Sequence, residues 1–541
     1  MEVDVPQSAP LSNNQVNNNA GGHVWKVDDL QRLRRFLCLG SEGGTYYTGE
    51  KQLGMENVKC VLRLIEAGKG EEAIKEIVNF STEGRAANQK AIIFVFALCA
   101  RQDIDPKVKK LCYEKLPEVL RISTHLFHFI EYCEKLSTGT GWGRAQRRAI
   151  SNWYLQFSDN PKHLAQQVTK YKQRNGWTHV DVLRLAHPKP PNQEVAAVIK
   201  YIVKGLDVAK QQFLTNDADD EMKALFDYLQ AVEDVKKKEE VEEVVQLIHH
   251  HGLVREHIPT TFLNHISVWR ELLRKMPMTA LIRNLGKMSS IGLFPEGSVE
   301  SMMVCEKLED ANALKQAKIH PFNVLLALYT YNKGKGDLGK LSWNVNQTIK
   351  QSLNAAFYKS FKTVESTGLR YCLAMDVSGS MSWGSVNGAK CINPREASAA
   401  LSMVTARTEQ SYEMVAFSTN LTPVDIKPDM DLPAVIQTFS SIPMGGTDCA
   451  QPMIWAKKKN KKFDVFVVYT DCETWAGNVH PAEALRQYRA ASGIWNAKLI
   501  VCAMTSNGFT LADPDDPGML DMAGFDSNGP EIMRSFSLGL L

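Results

Sequence analysis

The sequence has no apolar run long enough to cross a membrane and no C-x-x-C pair of cysteines. Its eleven cysteines are an odd number scattered from Cys38 to Cys502, which fits neither a disulfide framework nor a zinc knuckle. Residues 1–22 lack the basic and apolar regions of a signal peptide. These absences predict a cytoplasmic protein, part of which could also be nuclear, without membrane contact. They also predict that residues 1–22 form a flexible tail.

The sequence also has little excess charge of either sign. Its 63 Lys and Arg residues oppose 60 Asp and Glu residues, which leaves a formal net charge of +3. Any surface that binds nucleic acid must therefore be local. At 541 residues the chain is too long for a single hydrophobic core, so we expect at least two domains.

Residues 23–362 read as helix after helix, separated by short turns that carry Gly, Pro or Asp. In VDDLQRLRRFLCLG, for example, Asp28 or Asp29 can cap a helix and Gly40 can end it. Helices in tandem pairs without alternating strands predict an α-solenoid, in which each pair buries its apolar face against the next. No fixed repeat period is visible, so an irregular helical bundle is the alternative.

Residues 363–541 follow a different pattern, in which apolar β-type segments alternate with helical ones. The β-type segments are LRYCLAMD, SYEMVAFS, FDVFVVYTD and AKLIVCAM. This order predicts a doubly wound α/β domain, with a parallel sheet covered by helices on both faces. In such open sheets, ligands bind at the carboxyl ends of the strands.

Short side chains that carry oxygen lie at those carboxyl ends. The first strand runs into DVSGS, the segment PMGGTDCAQP places a threonine after two glycines, and FDVFVVYTD ends in an aspartate. Two carboxylates and three hydroxyls suit a hard divalent cation, in the first place Mg²⁺, better than zinc. The predicted metal ligands are Asp376, Ser378, Ser380, Thr447 and Asp471.

This arrangement resembles the metal-ion-dependent adhesion site of von Willebrand factor A domains. The resemblance implies that the hydroxyls bind the ion directly, that the aspartates bind it directly or through water, and that one position is left for an acidic group of a partner. Residues 381–394 separate the motif from its helix and can cover or reshape the site. The alternative is a vestigial site, or a serine-rich turn that caps the helix. A binding site is favoured over an active site, because no catalytic triad or nucleophile elbow is recognisable.

The helical half contains one strongly basic stretch, residues 138–190, with nine Lys or Arg against two acids. On a helix, Arg144, Arg147 and Arg148 would share one face, and Lys170 and Arg174 are likewise i and i+4. Such like charges repel each other, which suggests an anionic partner such as phosphate. The interleaved aromatic residues could stack on unpaired bases, or equally well belong to the core. The candidate RNA-binding residues are Trp142, Arg144, Arg147, Arg148, Lys170, Lys172, Arg174 and His187.

Three segments of the helical half resemble the TROVE module of the Ro 60 kDa ribonucleoprotein family: GWTHVDVLRLAHPKP, MPMTALIRNLGKM and HPFNVLLALYTY. An A-type domain after this module is expected of the same family. The resemblance implies a ring of HEAT-like helical repeats, closed by the A domain, that binds small noncoding Y RNAs and misfolded small RNAs. It further implies that duplex RNA lies on a basic outer face, that a single-stranded 3′ end enters the ring, and that there is no catalysis.

Three functional hypotheses follow. The first is a monomeric RNA-binding scaffold for RNA quality control and RNA stabilisation. The alternative is a protein-interaction module, whose metal site recruits acidic protein partners without RNA as the principal ligand. The third is a metal-dependent hydrolase, which would require Mg²⁺-dependent turnover.

Overall fold

The structure, a computed structural model, describes residues 4–137, 139, 141–336 and 340–541. Two short strands precede the helical region, β1 (Val16–Asn17) and β2 (His23–Lys26), and a two-stranded hairpin interrupts it, β3 (Gln173–Arg174) and β4 (Trp177–Thr178). The helices of this region are α1 (Asp29–Leu39), α2 (Glu50–Glu66), α3 (Gly70–Glu83), α4 (Gln89–Arg101), α5 (Pro106–Glu114), α6 (Leu116–Val119), α7 (Ser123–Lys135), α8 (Arg144–Leu155), α9 (Pro161–Lys170), α10 (His179–Ala186), α11 (Gln193–Lys204), α12 (Leu206–Phe213), α13 (Asp220–Asp234), α14 (Val241–His251), α15 (Ile266–Arg274), α16 (Met278–Ser290), α17 (Val299–Glu309), α18 (Ala311–Gln316), α19 (Pro321–Asn332) and α20 (Gln347–Lys359).

The helices pack in the sequential pairs that the sequence predicts for a repeat array. Helix α1 packs on α2, α11 on α12, α14 on α15, and α19 on α20. Local signals set the ends of α1, because the Asp28 carboxylate accepts a hydrogen bond from the Gln31 amide at 2.8 Å and Gly40 follows with φ 67°. The predicted helical array is confirmed.

The helical array closes into a ring, because the turn between α3 and α4 contacts the start of α19. The His320 imidazole Nε2 donates to the Arg85 carbonyl at 3.1 Å, and the Asn323 amide donates to the Ala87 carbonyl at 3.1 Å. The Arg85 guanidinium also makes two hydrogen bonds to the Asp526 carboxylate of the A domain, at 3.0 and 2.5 Å. Segments more than 230 residues apart in sequence therefore share one junction.

Acidification is expected to weaken this junction. Burial lowers the pKa of His320 to about 4, well below the value near 6.5 of an exposed histidine. The neutral imidazole therefore stabilises the fold above pH 6.5, and this contribution is lost as the pH falls toward 4. At pH 5 the loss is about 2 kcal/mol. We expect the urea midpoint to fall less between pH 7 and pH 5 in His320→Gln than in wild type; an equal fall would contradict this assignment.

The A domain follows the helical region. Its strands are β5 (Arg370–Asp376), β6 (Ser411–Phe417), β7 (Leu421–Val424), β8 (Val465–Thr470), β9 (Lys498–Ala503), β10 (Phe509–Thr510) and β11 (Met519–Ala523), and its helices are α21 (Pro394–Thr408), α22 (Leu432–Ser440), α23 (Gln451–Lys458), α24 (Pro481–Ser492) and α25 (Gly529–Ser537). The sheet order is β11-β9-β8-β5-β6-β7, with β7 antiparallel at the edge and the other strands parallel. The predicted α/β domain is confirmed, with a mixed rather than a wholly parallel sheet.

Residues 4–22 pack against the A domain, so the flexible tail predicted for residues 1–22 is wrong over these positions. Strand β1 pairs with β2, and β2 pairs antiparallel with β10. Polar side chains of this segment make buried hydrogen bonds, and Gln7 is fully buried. Residues 1–3 lie outside the described part of the chain.

Candidate metal centre and nucleic-acid interface

Two aspartates meet at the carboxyl edge of the A-domain sheet. Asp376 is the last residue of β5, Asp471 directly follows β8, and these two strands are neighbours. The Asp376 carboxylate accepts hydrogen bonds from the Ser378 amide at 2.9 Å and the Thr470 hydroxyl at 2.6 Å. Strand order therefore brings together two carboxylates that are about ninety-five residues apart in sequence.

The three predicted hydroxyl ligands come from loops around the same edge. The hydroxyl oxygens of Ser378 and Ser380 lie 3.3 Å apart. Thr447 is held through its carbonyl, which accepts hydrogen bonds from the amides of Trp475 and Ala476, both at 3.0 Å. All five predicted ligands are buried.

Burial and mutual repulsion make this edge unfavourable for two carboxylate charges. Burial raises the pKa of Asp376. Burial, together with the charges of Asp376 and Glu473, raises the pKa of Asp471 well above its usual range. A divalent cation would relieve this repulsion.

The donor set fits Mg²⁺, because all its side-chain donors are oxygens. Within the described residues, no three or more His, Cys, Asp or Glu side chains are grouped to hold a metal ion, so the hydroxyls are needed to complete the ligand set. A cavity of about 20 Å³, lined in part by Ser380 and Asp471, is large enough for about one water-sized occupant.

A loop of the helical region lies over the candidate metal centre. This cover loop, residues 40–49, joins α1 to α2 and lines the same cavity through Tyr46. It touches residues 381–394, because the Ser385 hydroxyl donates to the Glu42 carbonyl at 3.2 Å. The predicted covering of the site is therefore shared between residues 381–394 and a part of the helical region that sequence reasoning missed.

Four large side chains are exposed beside the candidate metal centre. Tyr46 is 56% exposed and lies 6.3 Å, between ring centroids, from Trp383, which follows Ser380 by three positions. Met444 precedes Thr447 by three positions, and Trp475 follows Asp471 by four. Such a group of exposed apolar side chains is typical of an interaction surface. We call Tyr46, Trp383, Met444 and Trp475 the apolar rim.

The structure places the first basic group on a helix, as predicted. Arg144, Arg147 and Arg148 lie on α8 and are exposed, whereas Ile150 and Trp153 of the same helix are buried. Each arginine is therefore available to an external anion.

The second basic group is arranged differently from the prediction. Helix α9 ends at Lys170, and Arg174 lies on β3, so the two residues do not share a helix face. The chain turns because Asn175 and Gly176 adopt positive φ values of 54° and 79°, which allow a tight hairpin. Asn-Gly is the sequence signal that could have revealed this hairpin.

Trp142 does not fit the stacking role considered for it. Its side chain is only 6% exposed, and its indole N–H donates to the Glu134 carboxylate at 2.8 Å. The Trp142 and Trp177 ring centroids lie 5.8 Å apart. Because Trp177 pairs with Arg174 across the hairpin, this packing brings the hairpin close to the start of α8.

A third basic segment joins the hairpin, and sequence reasoning missed it. The Glu233 carboxylate lies 2.6 Å from the Lys236 ammonium and 3.5 Å from that of Lys172. Burial lowers the pKa of Lys236, and the charge of Lys172 lowers it further. Lys236 belongs to VKKKEEVEE, which gives no local sign of where it packs. We call Lys170, Lys172, Arg174 and Lys236 the basic face.

His187 is the last of the candidate RNA-binding residues. It is exposed at the end of α10 and has φ 49°. Helix α10 begins directly after β4, so His187 lies one short helix, about 12 Å, from the hairpin.

The fold is that of a two-part protein, in which a closed helical ring is joined to a von Willebrand factor A domain. Residues 16–330 match the family described as the TROVE domain, and residues 370–537 match the Ro60 vWA domain. The chain belongs to the Ro60 family of TROVE proteins.

Two curated relatives and one solved structure agree with this assignment. RNA-binding protein RO60 of Caenorhabditis elegans is 37% identical and aligns over 98% of this chain and 91% of the relative. RNA-binding protein RO60 of Deinococcus radiodurans is 36% identical over 99% of this chain and 97% of the relative. The crystal structure of the Deinococcus radiodurans RO (RSR) protein matches with a TM-score of 0.67 and 33% identity, over 95% of this chain and 100% of that one.

No helix in the described residues combines the length and apolarity needed to cross a bilayer.

Proposed function

We propose that this chain binds RNA through the basic face. The observation that carries the proposal is the convergence of three separate segments, the end of α9, the β3–β4 hairpin and the turn after α13, on one surface, where four cations outnumber the two carboxylates that pair with them, Glu233 and Glu256. Two relatives are named as RNA-binding proteins, which supports it. Lysine and arginine side chains that contact phosphates release counterions, so binding should weaken steeply as salt rises.

The RNA class that we propose is small noncoding RNA, including Y RNAs and misfolded small RNAs. A duplex would lie against the basic face, where recognition is through phosphates and shape, and an unpaired 3′ end would enter the ring. The protein would act as a scaffold for RNA quality control and would not catalyse a reaction on the RNA.

The test is a binding titration in increasing salt with two RNAs, a structured small RNA that has a free 3′ tail and the same RNA without its tail. Steep salt dependence and tighter binding of the tailed RNA are expected. Weak binding that salt hardly changes would overturn RNA binding as the function. Steep salt dependence without an effect of the tail would overturn only the entry of the 3′ end.

For the A domain, we propose that Asp376, Ser378, Ser380, Thr447 and Asp471 hold Mg²⁺. The buried oxygen donors and the two raised carboxylate pKa values support this ion. A bound Mg²⁺ would offer one open coordination position to a carboxylate of a partner.

The apolar rim favours a second candidate function, the recruitment of a protein partner. The proposed partner has an acidic side chain for the metal and apolar neighbours for Trp383 and Trp475. The test uses peptides with one glutamate flanked by leucines, and binding is followed by tryptophan fluorescence. In one control peptide glutamine replaces the glutamate, and in the other glycines replace the leucines. Only the glutamate–leucine peptide in Mg²⁺ should bind, and Trp383→Ala should weaken it. Equal binding of the glutamine version, or of any version in EDTA, would overturn the proposal.

A further inference from the structure

We infer that the N-terminal segment, residues 4–22, is a positioning element of the metal centre, and that Gln7 is its main residue. The inference rests on the Mg²⁺ site proposed above and extends it to residues outside the proposed ligand set. The supporting observation is that this segment hydrogen-bonds to both loops that carry the later metal ligands.

Gln7 makes one network with three polar groups of the A domain. Its side-chain amide donates to the Asp448 carboxylate at 2.7 Å and to the Val479 carbonyl at 2.8 Å. Its side-chain carbonyl accepts a hydrogen bond from the Thr474 hydroxyl at 2.5 Å. The backbone amide of Gln7 also donates to the Gly477 carbonyl at 2.9 Å. Every polar atom of this buried side chain is thus occupied, which fixes its position.

The partners of Gln7 adjoin two of the proposed metal ligands. Asp448 directly follows Thr447 in sequence, and Thr474 lies three residues after Asp471. The Thr474 hydroxyl, which donates to Gln7, also accepts a hydrogen bond from the Cys449 amide at 3.0 Å. Gln7 therefore ties the loop of Thr447 to the loop of Asp471.

A second contact holds the loop of Asp471 from the same side. The Glu473 carboxylate accepts hydrogen bonds from the Asn19 backbone amide at 2.8 Å, the Asn19 side chain at 2.7 Å and the Ala20 amide at 3.2 Å. Asn18 donates from its side chain to the Thr474 carbonyl at 2.8 Å. Both loops are therefore held against one segment.

Removing a group that orients metal ligands typically lowers metal affinity 10- to 100-fold. Loss of the Gln7 network should act in this way, because Thr447 and Asp471 would no longer be held at a fixed separation. Coupling between two binding events is reciprocal. Mg²⁺ should therefore also hold residues 4–22 more firmly against the A domain.

The experiment uses the full chain and the variant Gln7→Met, which keeps the side-chain volume and removes its hydrogen bonds. Mg²⁺ affinity is measured by calorimetry and Mn²⁺ affinity by electron paramagnetic resonance. Gln15→Met is the matched control, because Gln15 lies in the same segment but does not bond to Asp448, Glu473 or Thr474. Its partners are the Leu11 amide at 2.6 Å, the His23 carbonyl at 3.4 Å and the His480 imidazole at 3.5 Å. We expect the dissociation constant to rise about tenfold or more in Gln7→Met and to change less than twofold in Gln15→Met.

A purely structural role for Gln7 would lower the unfolding temperature in EDTA and leave metal affinity unchanged, and this result would overturn the inference. If Gln7→Met does not fold, Asn19→Ala decides instead, because Asn19 is exposed and its truncation leaves no cavity. Unchanged affinity in Asn19→Ala would then overturn the inference. A wild-type chain that binds no metal would overturn the Mg²⁺ proposal itself, so the two failures are distinguishable.

Limited proteolysis supplies an independent readout of the same coupling. Mg²⁺ should slow cleavage within residues 4–22 in wild type, and this protection should be smaller in Gln7→Met. Cleavage at the same rate with and without Mg²⁺, in a chain that binds the ion, would contradict the coupling.

Discussion

The double variant Lys170→Ala/Arg174→Ala will bind a structured small RNA roughly 20-fold more weakly than wild type at 0.15 M salt, if each residue contacts one phosphate. The plot of log affinity against log salt should also become shallower by about 1.4 to 1.8, since each lost contact removes about 0.7 to 0.9. The affinity is measured by electrophoretic mobility or fluorescence anisotropy over a salt series. The Lys170 side chain is half-buried and the Arg174 side chain is exposed, so the variant should remain folded.

The matched control is Lys458→Ala/Lys459→Ala, which removes the same charge from an exposed end of the A domain. It should change RNA affinity less than threefold, because only the general field of the protein is altered. Equal weakening in both double variants would show that net charge, and not the basic face, determines binding. Unchanged binding in Lys170→Ala/Arg174→Ala would place the RNA elsewhere.

The second large effect is expected at the proposed metal centre. Asp471→Asn should abolish stabilisation by Mg²⁺, which amounts to about 2.7 kcal/mol when the ion is at 100 times its dissociation constant. In EDTA the same variant should be at least as stable as wild type, because a buried charge next to Asp376 has been removed. Thermal unfolding in Mg²⁺ and in EDTA measures both effects.

The pH dependence of the metal-free chain gives this prediction a second check. A carboxyl whose pKa is higher in the folded state stabilises the fold below its unfolded pKa and loses that contribution as the pH rises. In EDTA, the destabilisation contributed by Asp471 should therefore grow as the pH rises above about 4, and Asp471→Asn should lack it. Asp425→Asn, an exposed control, should keep both the wild-type pH dependence and the response to Mg²⁺.

The parts of the structure that the sequence predicted are those specified by local pattern. Periodicity, caps such as Asp28 and stops such as Gly40 identify the helical array, and strands that end in Asp376 and Asp471 identify the sheet edge. The predicted metal ligands could be grouped because parallel strands bring their carboxyl ends together whatever their separation in sequence.

The parts that were missed depend on contacts between distant segments. Residues 4–22 have a composition typical of a solvated tail, and only the far partners of Gln7 and Asn19 show that they pack. Lys236 joins the basic face because α13 carries Glu233 next to Lys172, which no local pattern indicates. The Arg174 hairpin is different, since the Asn-Gly turn was present in the sequence and was not used.

The Arg85–Asp526 ion pair can form only late in translation. Its two residues are 441 positions apart, so at 5 to 20 residues per second Arg85 leaves the ribosome roughly 20 to 90 s before its partner. During that interval the early helices can pack on each other, but the junction with the A domain cannot form. A chaperone or an early ligand can therefore reach the Arg85 guanidinium in the nascent chain, and its junction with the A domain is complete only after Asp526 has been made.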